Sequence, residues 1–215
     1  MMSHIQAKIC GLTHAHHVAT ALLHEAAFLG FVTFPNSPRH ISPTDARPLA
    51  KMATGVARTV SVLVNPDALL IDAVLNDLKP DYIQLHGTET PEYCAQLRRR
   101  GVGVIKAFGI SKPSDLTHLA AYHGHVDMIL FDAKPPQNAA MPGGLGHAFD
   151  WTILQNLTLS IPWFLSGGLN SANIAQAVAI TGAKMVDVSS GVEMSPGLKD
   201  DALIAAFMAA LNTDA

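Results

Sequence analysis

Two short turns carry the firmest chemical signal in this chain: Ser166-Gly167-Gly168 and Ser189-Ser190-Gly191. Glycine lets a backbone approach an anion with no Cβ in between, so that N–H groups can converge on a phosphate. The hydroxyls of Ser189 and Ser190 add donors. Either turn alone is a common tight turn, but two of them, each after a short apolar run, point to a phosphate-binding pair. Cys10 and Asp132 form a second constellation. A thiolate can remove a proton and a carboxylic acid can donate one, a division that suits an acid–base isomerisation. A thiol with an ordinary pKa of about 8.5 needs activation for that work, and Lys8 has the same strand parity as Cys10. Taken singly, Cys10 reads as a small core residue and Asp132 as a loop or cap partner. Arg39, in Ser37-Pro38-Arg39, offers a planar fork to a carboxylate, or is a surface arginine in a turn. His86, in Gln84-Leu85-His86-Gly87, reads equally as a donor to substrate and as a loop cap. Asp187 is expected to pair with Lys8 as structural support.

Those residues sit at the ends of eight short apolar runs. The runs are Ala7–Cys10, Gly30–Phe34, Thr59–Val64, Tyr82–Leu85, Val102–Ala107, Met128–Asp132, Trp163–Ser166 and Met185–Ser189. Segments of helical spacing lie between and after them: His16–Phe28, Pro43–Thr54, Pro66–Asp77, Pro91–Arg100, Pro113–Tyr122, Trp151–Asn156, Ser171–Thr181 and Lys199–Leu211. Strict strand-then-helix alternation implies parallel strands. Eight repeats within 215 residues predict one α/β domain over residues 1–215, a single (β/α)8 TIM barrel, with an open doubly wound sheet as the structural alternative. Ser42-Pro43, Asn65-Pro66-Asp67 and Thr90-Pro91-Glu92 read as helix starts with a cap and a first-turn proline. Pro48 should kink or shorten the second helix. In such a barrel the functional groups gather at the carboxyl ends of the strands, often with phosphate held after strands seven and eight. Strands one and six are three steps apart in a ring of eight, so their ends face each other and set Cys10 across the mouth from Asp132. The stretch Lys134–Phe149, rich in glycine and proline, reads as a lid or substrate-contacting loop, or else as a disordered insertion.

Composition narrows the function classes. Hydrophobic residues make up 49% and charged residues 14%, as a buried parallel sheet wrapped in helices requires. The net charge of −3 argues against nucleic acid as a partner. Arg98-Arg99-Arg100, the only cationic run, falls where it complements a helix C-terminus. No stretch approaches the roughly 18 apolar residues of a membrane span, so no membrane association is expected. Met1-Met2-Ser3-His4 does not open a secretory leader. With only Cys10 and Cys94, free thiols in a reducing cytoplasm are expected, and Cys94 reads as packing from helix four onto the barrel. His14, His16 and His17 suggest a metal cluster, but no carboxylate or cysteine lies near them in sequence. A solvated helix end is the reading adopted, with no metal and no cofactor. A monomer is expected, with a homodimer as the alternative.

Taken together, the motifs resemble the phosphoribosylanthranilate isomerase family of tryptophan biosynthesis. The matching segments are Lys8-Ile9-Cys10-Gly11-Leu12-Thr13, Gly30-Phe31-Val32-Thr33-Phe34 leading to Ser37-Pro38-Arg39, Gln84-Leu85-His86-Gly87 and Leu130-Phe131-Asp132. They continue through Pro142-Gly143-Gly144, Gly146, Phe149-Asp150-Trp151, Leu165-Ser166-Gly167-Gly168-Leu169-Asn170 and Val186-Asp187-Val188-Ser189-Ser190-Gly191-Val192-Glu193 to Pro196-Gly197 and Lys199-Asp200. The resemblance implies an Amadori rearrangement of N-(5-phosphoribosyl)anthranilate to 1-(2-carboxyphenylamino)-1-deoxyribulose 5-phosphate, with no cofactor. It makes Asp132 the general acid and Cys10 the general base, sets Arg39 against the anthranilate carboxylate, and gives the phosphate to the glycine turns. Thr33 and Leu145 depart from the pattern, where an apolar and a polar residue respectively are expected. The alternatives are another phosphate-binding barrel isomerase or epimerase, and a barrel that binds a phosphorylated metabolite without turning it over.

Overall fold

The computed structural model describes residues 5–134 and 148–211. Eight parallel strands close into a barrel in sequence order: β1 (Gln6–Cys10), β2 (Phe28–Val32), β3 (Arg58–Leu63), β4 (Tyr82–Leu85), β5 (Gly103–Ile110), β6 (Met128–Ala133), β7 (Trp163–Leu165) and β8 (Met185–Val188). β8 pairs back onto β1 with Lys8 opposite Asp187, and this pairing closes the ring. The barrel therefore replaces the open sheet as the architecture.

Alternation along the strands sorts side chains onto two faces. Ala7, Ile9, Leu29, Phe31, Leu63, Ile83, Leu85 and Val186 face outward and join the core beneath the helices. Cys10, Phe28, Val32, Val60, Val62, Ile105, Ala107, Leu130, Phe164 and Met185 share the opposite parity and fill the barrel interior. The amino-terminal end of that interior is closed by aromatic packing. Phe28 meets Phe164 edge-on with ring centroids 5.1 Å apart and Tyr82 at 6.1 Å. Toward the carboxyl ends the same parity carries Lys8, Gln84, Asp132 and Asp187, all buried. One end of the barrel is thus an apolar plug and the other a polar floor.

The outer layer comprises α1 (Ala15–Leu23), α2 (Pro43–Met52), α3 (Ala68–Ala73), α4 (Pro91–Arg98), α5 (Ile174–Thr181) and α6 (Asp201–Leu211). Ser42, Asp67 and Thr90 cap their helices through side-chain oxygens that accept from backbone N–H groups. Pro48 neither ends nor shortens α2. It lies on the exposed face, where water can take up the carbonyl left without an N–H donor. The first helix is shorter than its spacing predicts. It stops at Leu23, Glu25 takes a left-handed turn, and Phe28 begins β2 so that it can pair with Lys8. Two predicted helices are 3-10 segments: Pro113–Tyr122 over its predicted length, and Trp151–Asn156 only over Trp151–Leu154. A short antiparallel hairpin, β9 (Glu193–Ser195) and β10 (Leu198–Lys199), follows β8 and was not expected from the sequence. The predicted lid falls almost wholly outside the described residues, together with Pro142-Gly143-Gly144, Leu145 and Gly146.

Cys94 is buried in α4, as expected. The arginines at the end of α4 make ion pairs across elements: Arg98 grips Asp127 at 2.8 Å and donates to the carbonyl of Gly124, and Arg100 reaches Asp72. Thr33, the odd polar residue in an apolar strand motif, is buried with its hydroxyl donating to the carbonyl of Ile41 at 3.2 Å.

Candidate active site at the carboxyl ends of the strands

Cys10, His86, Asp132 and the glycine turns lie at or just beyond the carboxyl ends of their strands, and Arg39 lies in the loop after β2. Cys10 ends β1, Asp132 is the second-last residue of β6, and His86 follows β4 directly. The glycine turns follow β7 and β8.

Lys8 and Cys10 are inward neighbours on β1. The Lys8 ammonium donates to Asp187 Oδ1 at 2.8 Å, and Ser166 donates to the other oxygen of that carboxylate at 3.2 Å. Burial works against the charge on Lys8, yet the Asp187 carboxylate outweighs it and holds the lysine pKa above its ordinary value. The Lys8 ammonium also acts electrostatically on the neighbouring Cys10 thiol. Burial pushes the Cys10 thiol up, the Lys8 ammonium pulls it back, and Asp187 pushes it up again. The thiol is the dominant form at neutral pH, with a cation in contact that stabilises the thiolate when it forms. Gly30 leaves room for this pair. A Cβ there would lie 2.9 Å from the Cys10 sulfur and 3.2 Å from Lys8 Cε.

Asp132 and His86 meet on the opposite arc, with Asp132 Oδ2 3.3 Å from His86 Nε2. Asp132 Oδ1 accepts from the Ala133 N–H at 2.8 Å. On its other side the His86 ring contacts Gln84 Nε2 at 3.1 Å. The tautomer follows the orientation of the Gln84 amide: with its N–H donating to Nδ1, the imidazole proton sits on Nε2, the nitrogen nearer Asp132. Lys106 fastens the turn that carries His86. Its ammonium donates to the carbonyls of Leu85 at 3.2 Å and Gly87 at 2.9 Å, and it lies 3.1 Å from the buried Glu89 carboxylate.

The two glycine turns pack on each other. A Cβ on Gly191 would run into the Leu169 carbonyl, and one on Gly167 would lie 2.7 Å from the Ala133 nitrogen and 3.3 Å from Asp132 Oδ1. Gly167 and Gly168 both take positive φ, at 88° and 64°. Ser190–Val192 form a 3-10 turn. The Ser189 hydroxyl is occupied otherwise than expected. It donates to the carbonyl of Cys10 at 3.1 Å and accepts from Lys199 at 3.2 Å, so it ties β8 to β1.

Arg39 is no surface arginine. It is 5% exposed, and Glu193 takes its Nε at 2.7 Å and its Nη2 at 2.8 Å in a two-pronged ion pair. The Lys199 ammonium meets the same Glu193 Oε1 at 2.7 Å and donates to the Ser189 carbonyl at 2.9 Å. Burial lowers the Lys199 pKa against the pull of Glu193. For Glu193, burial is outweighed by the hydrogen bonds from Arg39 and the charge of Lys199, so its pKa is lowered. Glu193 and Lys199 carried no individual role in the sequence reading. The only local signal for them was Pro196-Gly197, a turn dipeptide that brings their two strands together.

The arrangement supplies a thiol beside a cation, an aspartate beside an imidazole, a clamped guanidinium and two glycine turns, all at one mouth. Comparison with known proteins accords with this inventory. Residues 7–210 match the family model described as N-(5'phosphoribosyl)anthranilate (PRA) isomerase. The N-(5'-phosphoribosyl)anthranilate isomerase of Caulobacter sp. (strain K31) is 48% identical over 209 residues, covering 96% of this chain and 98% of the relative. The crystal structure of phosphoribosyl anthranilate isomerase from Thermotoga maritima superposes with a TM-score of 0.86 at 34% identity, covering 96% of this chain and 98% of the other. A phosphoribosyl anthranilate isomerase in complex with reduced 1-(o-carboxyphenylamino)-1-deoxyribulose 5-phosphate matches with a TM-score of 0.81 at 32% identity over the same shares.

Proposed function

The chain belongs to the N-(5'-phosphoribosyl)anthranilate isomerase family and catalyses that isomerisation in tryptophan biosynthesis, and we propose that Cys10 and Asp132 carry its two proton transfers. In this reading Asp132 protonates the ribose ring oxygen. The C1′–O bond breaks, the nitrogen lone pair closes a Schiff base, and the ring opens. Cys10, as thiolate, then takes the proton from C2′, and the C–H electrons move toward nitrogen to give an enolamine. Tautomerisation places a ketone at C2′ and an amine at C1′. No electrons leave the substrate, so the step needs no external oxidant or reductant.

The observation that carries this reading is the pairing of each reacting group with its own supporting residue. Lys8 stabilises the thiolate, and His86 Nε2 stands 3.3 Å from Asp132 Oδ2. Arg39, its plane fixed by Glu193, takes the anthranilate carboxylate. The turns at Gly167-Gly168 and Ser190-Gly191 take the phosphate, with Ser189 holding the second turn against β1. Residues 1–215 act as one catalytic domain. Free, buried Cys10 and Cys94 suit a reducing cytoplasm, and among the described residues no helix is long and apolar enough to cross a membrane. We read the chain as a monomer, because its exposed large apolar side chains, such as Leu23, Val56, Leu69 and Met194, are spread over separate elements.

The test is a fluorescence assay that follows loss of phosphoribosylanthranilate. Cys10→Ala and Asp132→Asn should each nearly abolish turnover with the fold intact. Full activity in either variant overturns the assignment, and substrate binding without turnover in the parent chain would mark a non-catalytic barrel.

A further inference from the structure

Two of the histidines that open α1, His14 and His16, lie in solvent as expected of a helix end, but the third does not. His16 is exposed, but His17 beside it is only 3% exposed. Their ring centroids lie 3.9 Å apart, and His14 stands 5.7 and 5.5 Å from the two rings. Barrel closure sets α6 beside α1 and so delivers the carboxylate that the local sequence lacks. One ring nitrogen from each of His16 and His17 and a carboxylate oxygen of Asp201 lie within 4.8 Å of one another.

Two further observations point to a ligand. His17 Nδ1 is buried and has no hydrogen-bond partner, a condition that native interiors rarely leave standing. The Asp201 carboxylate is already oriented, since the Thr20 hydroxyl donates to its Oδ1 at 2.8 Å. Outer partners of that kind commonly fix metal-binding carboxylates.

We propose that His16, His17 and Asp201 form a binding site for a divalent transition-metal ion, zinc foremost, at the seam between α1 and α6. Two imidazoles and one carboxylate suit zinc, cobalt or nickel. Calcium and magnesium prefer all-oxygen sites. Zinc–ligand bonds of about 2.0–2.1 Å set tetrahedral ligands roughly 3.3 Å apart. His16 and Asp201 are both exposed, and in the proposed site His16, with Asp201 turning about its bond to Thr20, moves to bring the ligand atoms from within 4.8 Å toward that value. Water completes the shell. The ion cross-links the first and last helices of the barrel and takes no part in the proton transfers.

The experiment uses untagged protein with cobalt(II) and zinc(II) as probes. One equivalent of cobalt should bind with the visible absorption of a tetrahedral site. Zinc should displace it and raise the thermal unfolding midpoint, and chelation should reverse the rise. His16→Ala and Asp201→Asn, at exposed positions and checked by circular dichroism, should each weaken binding more than tenfold. Thr20→Val should weaken it about tenfold, and Cys10→Ser should leave it unchanged. Absence of stoichiometric binding, or binding that survives His16→Ala and Asp201→Asn but is lost in Cys10→Ser, overturns the proposal.

Discussion

Burial and charge pull the Cys10 thiol in opposite directions, and burial prevails. The base needed for catalysis is the deprotonated form, so a raised pKa moves the rising limb of the pH profile toward alkali. We expect kcat/KM, which reports the free enzyme, to climb with pH along a limb above the ordinary thiol value of about 8.5. A profile already flat above pH 7 would contradict this. Gly30 offers a test of geometry without a change in chemistry. Its backbone suits any residue, but a methyl group there would press on the Cys10 sulfur and Lys8. Gly30→Ala should fold and lose activity on the order of 100-fold, because small misplacements of reacting groups have large effects on rate. Steady-state kinetics with a parallel unfolding curve separates the two effects. Cys94, also buried, has its pKa pushed up to about 11 and should resist alkylation in the native protein.

At the scale of elements, the hairpin of β9 and β10 does more for the site than its five residues suggest. It delivers Glu193, which clamps Arg39 and neutralises the buried Lys199. The folded-state pKa of Glu193 lies below its ordinary value. Its contribution to stability is therefore present above that ordinary value, about 4.3, and is lost as pH falls through the folded value. Glu193→Gln should destabilise the protein at pH 7 by about 3–5 kcal/mol, because it leaves Lys199 and Arg39 buried without their anion. The variant should also show a shallower loss of stability on acidification than the parent. Chemical denaturation at pH 7 and about pH 4 measures both effects, and KM should rise as Arg39 loses its support. The hairpin escaped the sequence reading because strands of three and two residues carry too few positions for a period to register. The 3-10 segments were missed for a related reason. Their apolar spacing mimics an α-helix over one turn, and Asp115 instead accepts from the N–H groups of Ser111 and Lys112 and tightens the start of its segment.

At the scale of the whole molecule, the β1–β8 junction both closes the barrel and carries Cys10 of the proposed active site. Lys8 opposite Asp187 is a buried ion pair in the last pairing of the ring. Lys8→Met should cost about 3–5 kcal/mol in urea unfolding, since it strands a buried carboxylate, and a Lys8→Met/Asp187→Leu double variant should recover much of the loss. Both variants should lose activity. Recovery of stability without recovery of turnover would separate the structural task of the pair from its action on Cys10.

Local chemistry in the sequence sufficed for the order of strands and helices, the strand ends that carry function, the glycine turns and the pairing of Lys8 with Asp187. Period-two and helical apolar patterns are properties of neighbouring residues, and the alternation of elements follows from them. Apart from Lys8 with Asp187, which follows once strands one and eight are neighbours in a ring, contacts between distant residues were not legible in this way. Glu193 against Arg39, Lys106 inside the His86 turn, Ser189 against Cys10 and Asp201 against His17 arise only when the ring closes in one register. His17 shows the difference most plainly. Its neighbours in sequence describe a polar helix end, whereas closure of the barrel buries it and brings a carboxylate to it from the last helix, because β8 must pair with β1 for the sheet to have no edge.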